Sequence, residues 1–146
     1  MVQKLSVLAF ALLLGSTAAS AQSAGRIKSA TGAVHVLHAG SEFPAQPGLN
    51  VYQGDLIRTG RDGRIGLTLN DDTRLSLGPD SELRLDRFSY APADGQFGLA
   101  IKLLRGVAAY VSGRIAKLAP DSIRIETPTA ILGVRGTTLA IRAGSV

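Results

Sequence analysis

From Gly25 onward, apolar side chains recur at every second position, and a chain written with that period builds half-buried strands rather than helices. Ile65, Leu67 and Leu69 alternate with Arg64, Gly66 and Thr68. Leu75 and Leu77 alternate with Arg74 and Ser76, Leu83 and Leu85 with Glu82 and Arg84, and Leu99, Ile101 and Leu103 with Ala100 and Lys102. The same face pattern returns in Val107, Ala109 and Val111, in Ile123 and Ile125, and in Leu139 and Ile141. Turn signals punctuate the runs: Asp62-Gly63, Asn70-Asp71-Asp72, Gly78-Pro79-Asp80, Asp94-Gly95 and Pro120-Asp121. Asp-Gly and Asn-Asp accept the positive φ of tight turns, so Asp62-Gly63 is expected to join a strand ending near Thr59 to its hairpin partner beginning near Arg64. Short strands with turns at such regular spacing predict an all-β fold: a compact sandwich, a roll or a short solenoid-like arrangement.

One break in the alternation carries information. Leu83 and Leu85 are in odd phase, whereas Phe88 and Tyr90 are in even phase. Either a bulge near Asp86-Arg87 restores the inward direction, or Phe88 and Tyr90 already belong to a loop running through Pro92 to Gly95. Residues 22–29 read as a short flexible lead, Phe43 to Pro47 as a loop ordered against the core, and 30–146 as one β domain. Glycine-then-apolar strand starts such as Gly66-Leu67, Gly98-Leu99 and Gly106-Val107 hint at a repeated unit.

The N-terminus has a different character. Lys4 precedes an apolar run from Leu5 to Leu14, and Ala19-Ser20-Ala21 supplies small residues for signal-peptidase cleavage. We therefore expect residues 1–21 to be a signal peptide and Gln22 to begin the mature chain in the periplasm, with secretion as the alternative. The run is shorter than the roughly 20 residues that span a bilayer, so no transmembrane helix is expected after cleavage. No Cys occurs, so disulfides and lipoprotein modification are excluded. Loss of Lys4 lowers the 16 basic residues to 15 against 11 acidic ones, a net charge of +4. Export puts nucleic acid out of reach, which leaves an envelope protein or an anionic envelope polymer as the expected partner.

Candidate chemistry is sparse. His35 and His38 stand three apart on one expected strand, hence on opposite faces, and make a poor chelating pair. Asp71-Asp72 lies in an expected turn, where Asp serves local hydrogen bonding, and lacks the spacing of a calcium loop. Nucleophile-elbow, zinc-protease and phosphate-loop patterns are absent, and no cofactor is expected. Arginines recur on the polar phase of the strands: Arg58, Arg64, Arg74, Arg84, Arg105, Arg124 and Arg142. They form either a solvated, edge-protecting face or, with Arg64, Arg74 and Arg84 as its core, an anion-binding or docking surface.

Two segments carry a resemblance to a known family. The first runs from Gly48 through Val51-Tyr52-Gln53-Gly54-Asp55 and Thr59-Gly60, and continues from Gly66 to Ser81. The second is Glu126-Thr127-Pro128-Thr129-Ala130-Ile131-Leu132-Gly133-Val134-Arg135-Gly136-Thr137-Thr138. Together they resemble the FecR domain, which implies a periplasmic all-β sensing or interaction domain of regulators that relay transporter occupancy to a sigma factor. Here a cleavable signal is expected in place of an internal transmembrane helix, with no cytoplasmic segment expected before the domain and no transporter-contacting module after it. The chain therefore resembles the stand-alone exported members, with a shortened C-terminus or an open sheet edge after Thr137.

Read physically, Gly54-Asp55 is a turn whose carboxylate can bond neighbouring amides, and Thr59-Gly60 ends the next strand. Arg135 lies in an apolar, glycine-flanked strand and, if buried, needs a partner, for which Asp55 is the candidate. Gly54, Asp55, Thr59, Gly60, Thr127, Pro128, Arg135, Gly136 and Thr137 are thus expected to be structural. A non-catalytic sensing or binding module is the leading reading. Envelope polysaccharide or cell-wall binding, or a structural role, stands second, and a hydrolase with paired carboxylates across a cleft third.

Overall fold

The computed structural model describes residue 15, residues 21–134 and residues 138–144. The chain is all-β, a single curled sheet whose two halves close over one core. The first half holds β1 (Gly25–Thr31), β4 (Asn50–Val51), β6 (Arg64–Leu69), β7 (Arg74–Leu77) and β12 (Thr138–Ala143). The second holds β2 (Val34–His38), β3 (Ser41–Pro44), β5 (Leu56–Thr59), β8 (Glu82–Ala91), β10 (Ile123–Thr127) and β11 (Ala130–Leu132). The long β9 (Gln96–Val111) belongs to both: its first part pairs with β8 and, in parallel, with β10, and its last part with β7 and β12. Among the described residues the longest helix is the five-residue α1 (Arg114–Leu118), and no helix is long and apolar enough to cross a membrane.

The inward phase is the one the alternation predicts in β6, β7, β8, β10 and the first part of β9, whose Ile65, Leu67, Leu75, Leu83, Ile101 and Ile125 are all buried. In the last part of β9 the expected phase is reversed. Ala108 and Tyr110 are buried, while Val107, Ala109 and Val111 face outward. The reversal begins at Gly106, whose φ of +86° is the left-handed conformation that glycine adopts without penalty, and it occurs where β9 changes half. Burial raises the pKa of the Tyr110 hydroxyl above its ordinary value, with the Ser112 side chain acting in the opposite direction.

Three other expectations change. The bulge reading holds: the β8–β9 register shifts between Leu85 and Arg87, and Phe88 and Tyr90 remain in the strand against the core. Asp62-Gly63 is not a hairpin turn, because β5 pairs with β2 and β8 while β6 pairs with β1 and β7; the turn carries the chain from one half to the other. Residues 25–29 of the expected lead lie in β1, where Ile27 is buried between exposed Arg26 and Lys28. One apolar side chain in the right phase, paired to β6 on one side and β4 on the other, is enough to order the segment. Phe43 and Pro44, expected in a loop, end β3, and Phe43 packs partly against the core.

Candidate functional site

The first group of candidate residues surrounds the turn entering β5. Residues Tyr52 to Asp55 close a turn in which the Asp55 amide donates to the Tyr52 carbonyl (3.1 Å), and Gly54, at φ +92°, occupies the position that demands a positive φ. The Asp55 side chain is buried, and its Oδ2 accepts the Tyr52 amide at 2.8 Å. Its Oδ1 lies 2.5 Å from Nδ1 of His38, whose ring stacks at a tilt on Tyr52 with centroids 4.8 Å apart. The backbone of the same turn is stitched to β8, Gly54 N–H donating to Leu85 O and Leu85 N–H to Asp55 O. Asp55 therefore fastens β2 and β8 to the start of β5.

The sequence pointed to Arg135 as the partner of Asp55. Arg135, Gly136 and Thr137 lie outside the described residues, and within them the carboxylate is held by His38 and the Tyr52 amide. His38 was weighed in the sequence only as a metal ligand, and its bond to Asp55 was missed because its strand partner is not what binds it. His35 faces Arg58 across β2–β5, whereas His38 sits in the inward phase of Val34 and Val36 at the strand end, beyond reach of any local pattern. We expect Asp55→Ala to cost about 2–3 kcal/mol, since it strips the Tyr52 amide and His38 of a charged acceptor. In a double-mutant cycle with His38→Ala, measured by denaturant unfolding, the two losses should fall short of additive by about 1 kcal/mol. Additive losses would mean that the pair carries no energy.

Thr59 and Gly60 belong to a second construction, the seam where the chain passes between the two halves. Thr59 Oγ1 donates to Gly78 O (2.7 Å) and accepts the Ser81 amide (2.9 Å). The Thr59 amide donates to Ser81 O, Gly60 N–H to Ala33 O, and Asp80 N–H to Gly60 O. Ser81 Oγ accepts Val107 N–H at 2.9 Å. Asp62 Oδ1 accepts the Ala33 amide at 3.2 Å. Four passages of the chain, at Gly32-Ala33, Thr59–Gly63, Gly78–Ser81 and Gly106-Val107, are thereby tied side by side. Ser81, unremarked in the sequence beyond its place in a motif, is the buried residue common to the last three.

Thr127 and Pro128 form the turn of the β10–β11 hairpin, closed by Ala130 N–H donating to Thr127 Oγ1 (3.1 Å). A wide groove of about 500 Å³ beside this turn is lined by Lys102, Glu126, Thr127, Pro128 and Ile131, with Ile131 exposed.

The arginines do not line up as one row. Arg84 lies on the second half, ion-paired and hydrogen-bonded to Asp86, which raises its pKa further above the ordinary arginine value. Its neighbours on that face are paired too: Arg58 and Arg105 share Glu82 at 3.6 and 3.5 Å, and Arg124 pairs with Glu126. Arg114, at the start of α1, is held by Tyr90 and by Asp72, 3.1 Å away, and both raise its pKa. Arg64 and Arg74 lie on the first half, at opposite ends of the β6–β7 ladder. Among the described residues no carboxylate pairs with either, and no group of three or more potential metal ligands forms.

A family model described as FecR protein matches residues 55–145, beginning at the buried aspartate and running through the seam to β12. The chain belongs to the FecR family. No curated protein and no solved structure matches it. FecR membership makes the chain part of an envelope-associated regulatory and sensing family, and the matched segment contains Asp55, three of the four passages of the seam and the β10–β11 hairpin.

Proposed function

We propose that this FecR-family chain is a periplasmic sensing or interaction module that acts by binding and has no catalytic activity of its own. The observation that supports this most directly is the use made of its buried polar side chains. Asp55, Thr59, Asp71, Thr73 and Ser81 all engage backbone groups or one another to hold turns in place, so the residues a reaction would draw on are occupied in the scaffold. What remains available to a partner is exposed surface on the outer faces of the two half-sheets. In this reading the signal is cleaved after Ala21, and the domain works as an exported unit.

The reading is tested by affinity capture from the periplasm of cells exporting the full chain. The captured protein should begin at Gln22 and co-purify with a discrete envelope partner at fixed stoichiometry, reciprocally recovered when the partner is the bait. Retention in the cytoplasm, or capture no better than that of a charge-matched control protein, would refute it. A second reading, binding to an anionic envelope polysaccharide, is favoured by the charge distribution on the first half-sheet.

A further inference from the structure

The outer face of the first half-sheet is basic and free of carboxylates. Pairing registers arrange it in three rows that cross the strands. The middle row is Ser29–Gly66–Ser76–Ala109–Ala140, running through β1, β6, β7, β9 and β12 with no side chain longer than serine. On one side of it stands Arg26–Thr68–Arg74–Val111–Thr138. On the other stand Arg64, paired with Thr31, and Arg142, paired with Val107. A bulge between Ile27 and Ser29 adds Lys28 to the same edge. Arg26, Lys28, Arg64, Arg74 and Arg142 are all exposed, and among the described residues none is ion-paired. The 11 acidic residues of the chain lie on the other half, in turns or buried.

The rows make a trough. At about 3.3 Å per residue the two arginine-bearing rows are about 13 Å apart, and at about 4.8 Å per strand the floor extends about 19 Å. Near Arg64 the floor deepens into a groove of about 260 Å³ lined by Ser76, Gly78, Val107 and Ala109. Small side chains keep the floor low while arginines rise on both sides, a shape that admits one extended chain and presents guanidinium groups to both of its edges. The backbone donors and acceptors of β6, β7 and the last part of β9 are used in ladders on both sides, so the floor itself offers a peptide no strand to pair with. The floor instead offers the hydroxyls of Ser29 and Ser76, with those of Thr68 and Thr138 beside it.

We infer that this trough binds a linear, negatively charged polysaccharide, its carboxylates or phosphates meeting the arginine rows and its sugar hydroxyls the serine-bearing floor. The inference builds on the proposed role as an exported binding module and names a ligand class and a face for it. It replaces Arg84, which is paired on the other half, with Arg26, Lys28 and Arg142.

The test uses the full chain and polygalacturonate as the probe, with neutral dextran, poly-glutamate and anionic phospholipid vesicles alongside. Replacing Arg26, Arg64, Arg74 and Arg142 by Gln should weaken polygalacturonate binding at least about tenfold and flatten its salt dependence, because fewer counterions are released. Replacing Arg58, Arg84 and Arg124 by Gln should change affinity less than about twofold, since those cations are already neutralised by neighbours. If circular dichroism shows the fourfold variant unfolded, the pairs Arg26/Arg74 and Arg64/Arg142 are replaced separately, and each should still weaken binding about threefold. Equal losses from the two faces, or poly-glutamate, vesicles or dextran held as tightly as polygalacturonate, would overturn the inference. Partner capture is measured with the unmodified chain alongside: capture of a partner by a chain that does not bind polygalacturonate rejects the trough alone, and absence of any captured partner rejects the module reading.

Discussion

Gly106→Ala should lower stability by about 3–4 kcal/mol, a fall in melting temperature of roughly 10 °C or more for a domain of this size. Two costs combine. An alanine at φ +86° sits in the left-handed region that L-residues avoid, and its Cβ would fall 2.1 Å from Ser81 Oγ and 2.5 Å from Ser81 Cα. Shortening the neighbour does not help, because the clash with the Ser81 backbone remains when the hydroxyl is gone. Gly106→Ala with Ser81→Gly should therefore be no more stable than Gly106→Ala alone, and it also loses the Ser81 Oγ acceptor for Val107 N–H. Thermal unfolding of the unmodified chain and the two variants decides the matter. A rescued double variant would show that the hydroxyl, not the approach of the two backbones, sets the geometry.

The importance of Gly106 was hidden in the sequence although the glycine was plain. Its neighbours Val107, Ala109 and Val111 read as an inward face, and period-two reasoning has no means of knowing that β9 changes half and phase at this point. The same limit explains Asp62-Gly63. Local turn chemistry says that the chain bends there, which it does, but which strands the bend joins depends on pairing between β2, β5 and β8, separated widely along the chain. Where the pattern was purely local it was sufficient: the alternation of Leu83 with Leu85 and the Asn70–Asp72 hairpin follow from period and turn residues, whereas the phase break before Phe88 and Tyr90 marked the place but left bulge and loop open until the β8–β9 pairing decided it. At the candidate site, Gly54 and Asp55 were legible as a turn with a useful carboxylate. Its holder His38 was not, because the contact is made across strands by an end-of-strand side chain.

The charge pattern shows the same division. A moderately basic chain with arginines on polar strand positions could be seen from the sequence, as could the question of whether they converge. Their partition could not. Arg58, Arg84, Arg105 and Arg124 find Glu82, Asp86 and Glu126 on their own face, while Arg26, Arg64, Arg74 and Arg142 are left on a face without acids. The outward phases of β1 and β12 complete that face, and β1 carries no strong alternating run. Ile27 alone, flanked by Arg26 and Lys28, was the available signal. Buried polar groups occupied in holding turns, together with Arg26, Lys28, Arg64, Arg74 and Arg142 gathered on one face without acids, are what support the proposed binding role.

That organisation makes Asp71 the second large effect, since it fixes the turn at the end of the basic face. The side chain is fully buried. Its Oδ1 accepts the Thr73 amide (3.1 Å), and its Oδ2 accepts both the Thr73 hydroxyl (2.7 Å) and the Ile115 amide (3.2 Å). The last of these supplies α1 with an acceptor for a first-turn N–H from a residue far away in the chain, and the Arg114 amide adds a bond to Asp71 O. Asp71→Ala leaves two amides and a hydroxyl unanswered in a buried site and should cost about 4 kcal/mol. Asp71→Asn keeps the shape but loses the charge and one acceptor, so it should cost about half as much. Hydrogen exchange separates this from general destabilisation. In Asp71→Asn the Thr73 and Ile115 amides should lose protection, while Thr59 and Ser81 in the seam keep theirs. Uniform loss of protection would contradict a local role for Asp71. Retained protection at Ile115 would show that α1 does not depend on this carboxylate, and that Arg74 and Thr68 at the adjoining ladder end are positioned by the β6–β7 pairing alone.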